Sequence, residues 1–188
     1  KLTGENILGT IKFRDSISYQ YSANLLQKQI DGVFDTDGIL MYNPDLQKMI
    51  YVYYYRNQYI VADKNLNLHF RGNTIDTTSQ AKLDIVYLDK HQQSKLAAPP
   101  LIVNSFSTVY NNLLFIKSDI RGKFEPAAVW DKASIIDVYD LTDKSYRFSF
   151  YIYSIDGHKV NEFIVQNRYL YALIDKHIVV YKLNKLFD

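Results

Sequence analysis

Side chains able to do chemistry are few in this sequence and stand far apart. The four histidines, His69, His91, His158 and His177, show neither the H-E-x-x-H nor the H-x-H spacing that aims two imidazoles at one metal, and His158 and His177 sit among turn residues. The absence of cysteine removes thiol nucleophiles, Cys-ligated metals and disulfides together. No G-x-S-x-G, P-loop or G-x-G-x-x-G pattern occurs, so nucleophile-elbow hydrolysis, Walker-type nucleotide binding and dinucleotide binding have no local warrant. Asp31, Asp35 and Asp37, interleaved with Gly32 and Gly38, could offer oxygens to Ca²⁺. Their spacing is not that of an EF-hand loop, however, and Asp-Gly pairs form turns readily, so a turn is expected. Asp137 and Asp140 could form a carboxylate pair for acid–base work, but the same positions in a repeat described below hold Val179 and Lys182. A strand-edge or turn hydrogen bond is the expectation for them. Tyr53, Tyr54, Tyr55, Arg56 and Tyr59 could make an aromatic platform for a sugar or peptide; alternation along a strand assigns them to core and edge packing instead.

The richest segment is 120–132, which carries the only Trp, one Arg, two Lys and two acids between two apolar runs. Loops on a rigid scaffold often carry function, and Trp and Arg are enriched in binding hot spots. Arg121, Lys123, Glu125 and Trp130 are therefore the candidate ligand-binding residues; the competing reading is that Trp130 packs the loop onto its own unit. No catalytic residue, metal ligand or cofactor site is expected. A second insertion, 77–98, carries Lys82, Lys90, His91 and Lys95 and reads as a solvated loop or an extra hairpin.

The elements that would position these residues are strands. Seventeen Tyr and ten Phe stand against two Met, and apolar residues cluster in short runs such as 49–55, 113–116, 135–139, 148–153, 170–174 and 178–181, with little helical periodicity. Several runs are apolar on both faces, which implies sheets packed on both sides. Only 23–30 and 127–134 resemble a helical turn or two. The runs also repeat: Ile178-Val179-Val180-Tyr181-Lys182-Leu183 matches Ile136-Asp137-Val138-Tyr139-Asp140-Leu141 at a spacing of 42 residues, and Asn167 to Ala172 matches Asn111 to Ile116. The segment 120–132 is the extra length inside the first copy's hairpin. Residues 49–53 and 59–63 form a looser third copy, and 7–13 with 18–21 read as outer strands of another.

A unit of this length with four short strands is what a β-propeller blade looks like. The pattern Asn-x-x-Leu-Tyr-x-Leu followed by x-Val-Tyr-x-Leu resembles blades of the TolB-like, NHL and YVTN type, and 95–184 is similar to propeller proteins of Bacteroidetes, a resemblance that implies no particular activity. The expected fold is thus all-β and propeller-like, with about three four-stranded blades at 33–77, 99–153 and 158–188 and residues 1–32 as outer strands of a further blade. Closed propellers have at least four blades. The chain is therefore expected to be part of a longer propeller or one completed by another chain. A β-sandwich is the alternative architecture.

Twenty-two Lys and Arg against twenty Asp and Glu give a net charge of +2, spread along the chain, which disfavours nucleic acid as a partner. No apolar stretch approaches a membrane span. The resemblance and the lack of cysteine suit an exported, periplasmic or cell-surface location. The functional expectation is a non-enzymatic binding module for a protein, peptide or glycan, with self-association through open blade faces as a further possibility. The alternative is a propeller-type hydrolase or lyase whose site is assembled from several blades.

Overall fold

The computed structural model describes residues 4–13, 15–88 and 93–187; His91 and Lys90 of the second insertion lie outside them. Fifteen strands are described: β1 (Leu8–Phe13), β2 (Ile17–Ser22), β3 (Gly38–Asn43), β4 (Lys48–Tyr53), β5 (Gln58–Asp63), β6 (Leu68–Asn73), β7 (Ile85–Leu88), β8 (Gln93–Leu96), β9 (Asn104–Tyr110), β10 (Leu113–Ser118), β11 (Ala133–Asp140), β12 (Ser145–Tyr153), β13 (Glu162–Gln166), β14 (Tyr169–Ile174) and β15 (His177–Lys182). Among the described residues helix is confined to one α turn, α1 (Ala127–Trp130), and a 3-10 turn at Lys185–Phe187. The fold is all-β. Two four-stranded antiparallel meanders, β3-β4-β5-β6 and β9-β10-β11-β12, are followed by a three-stranded one, β13-β14-β15, and none of them closes on itself. The hairpins β1-β2 and β7-β8 stand apart from these sheets. The second hairpin occupies the 77–98 insertion.

The repeat read from the sequence corresponds to strand rank. β10 and β14 are second in their sheets and β11 and β15 third, as are β4 and β5 in the first sheet. In β4, β5, β10 and β11 side chains alternate between two buried faces, which explains runs that are apolar throughout, whereas β14 buries one face only and β15 is largely exposed. Tyr51, Tyr53, Ile60 and Ala62 face Leu8, Leu25 and Leu26 of the N-terminal segment. On the opposite face of the same sheet, Ile50, Val52, Tyr59 and Val61 pack against Leu114, Ile116, Tyr139 and Leu141 of the next sheet. That second sheet turns Leu113, Phe115, Ile136, Val138 and Ile152 toward Phe163, Val165, Leu170, Ala172 and Ile174 of the third. The order in space is hairpin, first sheet, second sheet, third sheet, and β9 lies against both β3 and β13, so the first strands of the three sheets are neighbours.

Tyr139 is buried, as expected of a tyrosine packing between sheets, whereas its repeat partner Tyr181 is 38% exposed. The reason is strand number: β12 flanks β11 and its Tyr146 packs on the Tyr139 ring, while β15 is the last strand of its sheet. Residues 23–30 form turns and bends rather than helix. Side chains take their backbone groups instead: Asp35 accepts the N–H groups of Gln29, Ile30, Asp31 and Gly32, and Arg56 donates to the carbonyl of Gln27.

One close approach tests this packing. A Cβ built on Gly72 would run into the ring of Tyr59, which is 1% exposed and therefore unable to swing away. Gly72→Ala is expected to destabilise the chain by about 2 kcal/mol through overpacking, read as a lower urea midpoint at unchanged m-value; an unchanged midpoint would mean the Tyr59 ring is not held there.

Candidate functional site

A cavity of about 430 Å³ opens between the segment that leaves the first sheet and β10, β11 and β12 of the second. It is lined by Ile75, Asp76 and Thr77 on one side and by Ser118, Ile120, Arg121, Gly122, Lys123 and Glu125 on the other, with Ile135, Asp137 and Ser149 beneath. The size lies within the range of small-ligand sites.

The floor is built by strand register. Asp137 of β11 is paired with Ser149 of β12, and Ile135 lies two residues along on the same face. Tyr139, two residues further, continues that face into the packed interface with the first sheet. Asp137 is only 4% exposed, and the Ser149 hydroxyl donates to its carboxylate. Burial pushes its pKa up from the usual carboxylate value to about 6, the Ser149 hydrogen bond works downward, and the negative charge of Asp76 adds to the rise.

The wall at 75–77 is fixed from three directions. The Ile75 N–H donates to the Tyr139 hydroxyl at 2.9 Å, the Asn57 side chain donates to the Asp76 carbonyl, and Asp76 Oδ1 accepts the Thr78 N–H at 2.6 Å. Asp76 thus stands near Asp137 although it follows a different sheet. The opposite wall is the long β10–β11 loop. Its turn closes with the Glu125 N–H on the Gly122 carbonyl at 3.0 Å, and the Tyr151 hydroxyl donates to Glu125 at 3.0 Å. Arg121 and Lys123 are exposed at the rim. Beside them Phe124 is 90% exposed, with the Lys123 ammonium 5.5 Å from its ring centre. The cavity therefore pairs a buried carboxylate floor with a loop wall that carries two cations, Arg121 and Lys123, and one acid, Glu125.

Three of the four candidate residues, Arg121, Lys123 and Glu125, meet here. Trp130 does not line the cavity. It ends α1, and Lys159 donates to its carbonyl at 2.6 Å while standing 4.6 Å over its ring, which ties the descending arm of the loop to the connection between the second and third sheets. For Asp137 the expectation is a strand-edge or turn hydrogen bond; β11 is an interior strand, and the residue faces the cavity, where it accepts from Ser149 of β12. Asp140 does make turn contacts: it accepts the N–H groups of Thr142 and Asp143 and the Asn112 side-chain amide, and Arg147 stands 3.5 Å away.

The Asp31–Gly38 cluster is a turn. Asp35 is fully buried, and Asp31 Oδ1 accepts the N–H groups of Val33 and Phe34 at 3.0 Å. Burial alone would raise the Asp35 pKa, but the backbone donors hold it below the ordinary value. Tyr53 and Tyr59 belong to the core, and Arg56 is buried over the Tyr53 ring. Among the described residues no three His, Asp or Glu side chains converge as a metal site requires, and no helix is long and apolar enough to cross a membrane. Sequence reasoning missed Asp76, Ser118 and Ser149. No protein-family model matches the chain, and no curated protein matches it.

Proposed function

We propose that the chain is a non-enzymatic binding module on a propeller-like scaffold, and that the cavity beneath the β10–β11 loop holds a segment of peptide. Propeller-like stacking accounts for three successive meanders whose first strands adjoin and whose faces cover one another in turn. The observation that carries the function is the charge layout of the cavity: Asp137 at the floor with Asp76 beside it, Arg121 and Lys123 on the loop wall with Glu125, which is held by the Tyr151 hydroxyl, and apolar Ile75, Ile120 and Ile135 between. A peptide supplies the complement, with a Lys, Arg or terminal amine for the carboxylates and a carboxylate for the rim cations. The apolar groups of the lining are the aliphatic Ile75, Ile120 and Ile135, which suit peptide side chains better than a stacked sugar face. None of the described histidines lies in the lining, so neither Ser118 nor Ser149 has an imidazole there to activate it.

The test is selection from a displayed random-peptide library, followed by titration calorimetry of the hits. Asp137→Asn and the pair Arg121→Ala/Lys123→Ala are each expected to weaken a selected peptide at least tenfold, at the level of a lost charge-assisted hydrogen bond. Peptides that bind both variants as tightly as the parent would place recognition elsewhere.

A hydrolase or lyase is the second reading, favoured by one observation: a carboxyl poised near pH 6 is matched to general acid work. Cleavage of a selected peptide by the parent, abolished in Asp137→Asn, would replace the binding reading with this one.

A further inference from the structure

Both ends of the stack of sheets present apolar faces to water. At one end, register places Gly9, Ile11 and Phe13 of β1 opposite Tyr21, Tyr19 and Ile17 of β2 on one side of the hairpin. Ile11, Phe13, Ile17, Tyr19 and Tyr21 are 54%, 75%, 57%, 58% and 62% exposed. The other side of the hairpin is the one turned to the first sheet, where Leu8 is buried and Gln20 donates to the Asn65 carbonyl at 2.6 Å. At the far end, Ile164, Tyr171 and Val180 lie in one row across β13, β14 and β15, with Leu173 and Ile178 beside them. Ile164, Ile178 and Val180 are 54%, 73% and 52% exposed, and a shallow apolar recess lies between Ile164, Tyr171, Leu173 and Ile178. Two apolar faces on one small chain, the second edged by Glu162 and Lys182, are far more than the scattered exposed Leu or Ile of an ordinary surface.

The interior of the molecule says what such faces accept. Each sheet is covered on its far side by the near side of the element that follows it, once between the first and second sheets and again between the second and third. The third sheet's open face is a far side, and the hairpin's open face is a near side. A second molecule placed by the same rule sets its hairpin on the third sheet of the first.

We propose that this chain self-associates head to tail, the β1-β2 face of one copy covering the β13-β14-β15 face of another. The contact is heterologous, so the two patches differ and each copy offers one of each. It is independent of the cavity, and its failure leaves the peptide reading untouched.

The sense of the contact makes it testable. Wild-type chain in sedimentation equilibrium is expected to exceed the mass of one protomer, increasingly with concentration. Phe13→Lys blocks one patch and Ile178→Lys the other, so each variant alone is expected to be monomeric. An equal mixture of the two retains one good pair of faces and is expected to form a one-to-one dimer. Both positions are exposed, and circular dichroism checks that the variants fold. As a second route, Phe13→Cys and Ile178→Cys introduce the only thiols in a chain that has none. A short bismaleimide is expected to link the two variants to each other when mixed, and neither to itself. A wild-type chain that stays monomeric up to its solubility limit overturns the proposal, because the faces then serve some other occupant. So does a single variant that still dimerises, because the contact would then join like to like.

Discussion

Replacing Arg56 with alanine is expected to cost about 4 kcal/mol of stability, lowering the melting temperature by about 10 °C for a chain of this length. Arg56 is 1% exposed, has no carboxylate within ion-pair distance among the described residues, and lies with its guanidinium 3.6 Å from the centre of the Tyr53 ring. Its Nη2 donates to the Gln27 carbonyl at 2.8 Å, and Nη1 reaches the Asp35 carbonyl at 3.5 Å. It therefore holds the irregular 23–37 segment onto the β4–β5 turn. From the other side, Asn104 of the second sheet donates to the carbonyls of Tyr53 and Arg56 at 2.8 and 3.0 Å. Truncation removes a desolvated cation–π contact of about 2 kcal/mol and leaves buried carbonyls unpaired at about 1–3 kcal/mol. Arg56→Lys keeps the charge but not the planar fork, and about half the loss is expected to remain. Urea denaturation of the three proteins reads this directly. An alanine variant as stable as the parent would show that the segment is held by its apolar residues Leu25 and Leu26 alone.

The second large effect runs the other way. Asp137→Asn is expected to stabilise the chain at neutral pH by about 3 kcal/mol, the equivalent of a carboxyl moved from its ordinary value to about 6. Between the unfolded and folded pKa values the unfolded state has released its proton and the native state has not. Stability therefore falls as pH rises through that window. Below it both states are protonated and asparagine gains nothing; above it the native state bears a buried charge that asparagine does not. Asp35, Asp63 and Asp140 have the opposite sign, since hydrogen bonds hold each below its ordinary value and their contribution fades as pH falls. The variant-minus-parent difference cancels them and isolates Asp137. Denaturation at pH 3 and pH 7.5 should give a gap that is near zero at the first and large at the second. A gap of the same size at both would mean that Asp137 is not the group titrating.

How far this arrangement can be read from sequence depends on whether neighbours in space are neighbours in the chain. The rank of each strand was legible because Asn111–Leu141 and Asn167–Leu183 repeat one another within their own sheets. The β10–β11 loop was legible as the extra length in one copy, and Arg121, Lys123 and Glu125 with it. Asp137 was legible as a carboxylate in a strand, with Val179 at the equivalent position of the other copy; its place on the cavity floor was not, because the 75–77 wall that faces it follows a different sheet. Asp76 gave no signal, because Asn57 and Tyr139, which set its place, come from two different sheets. Trp130 shows the converse, a residue type typical of binding that is engaged within the chain by Lys159, 29 residues on.

The most direct test of the account is the pH dependence of peptide affinity. For a selected peptide with a Lys or Arg and no His, binding should require ionised Asp137 and weaken about tenfold between pH 7.5 and pH 5, as a carboxyl titrating near 6 becomes protonated. In Asp137→Asn the affinity should be lower and flat across that range. Affinity that does not change with pH in the parent, or that changes equally in both proteins, would contradict the claim that this cavity and its buried carboxylate are the site.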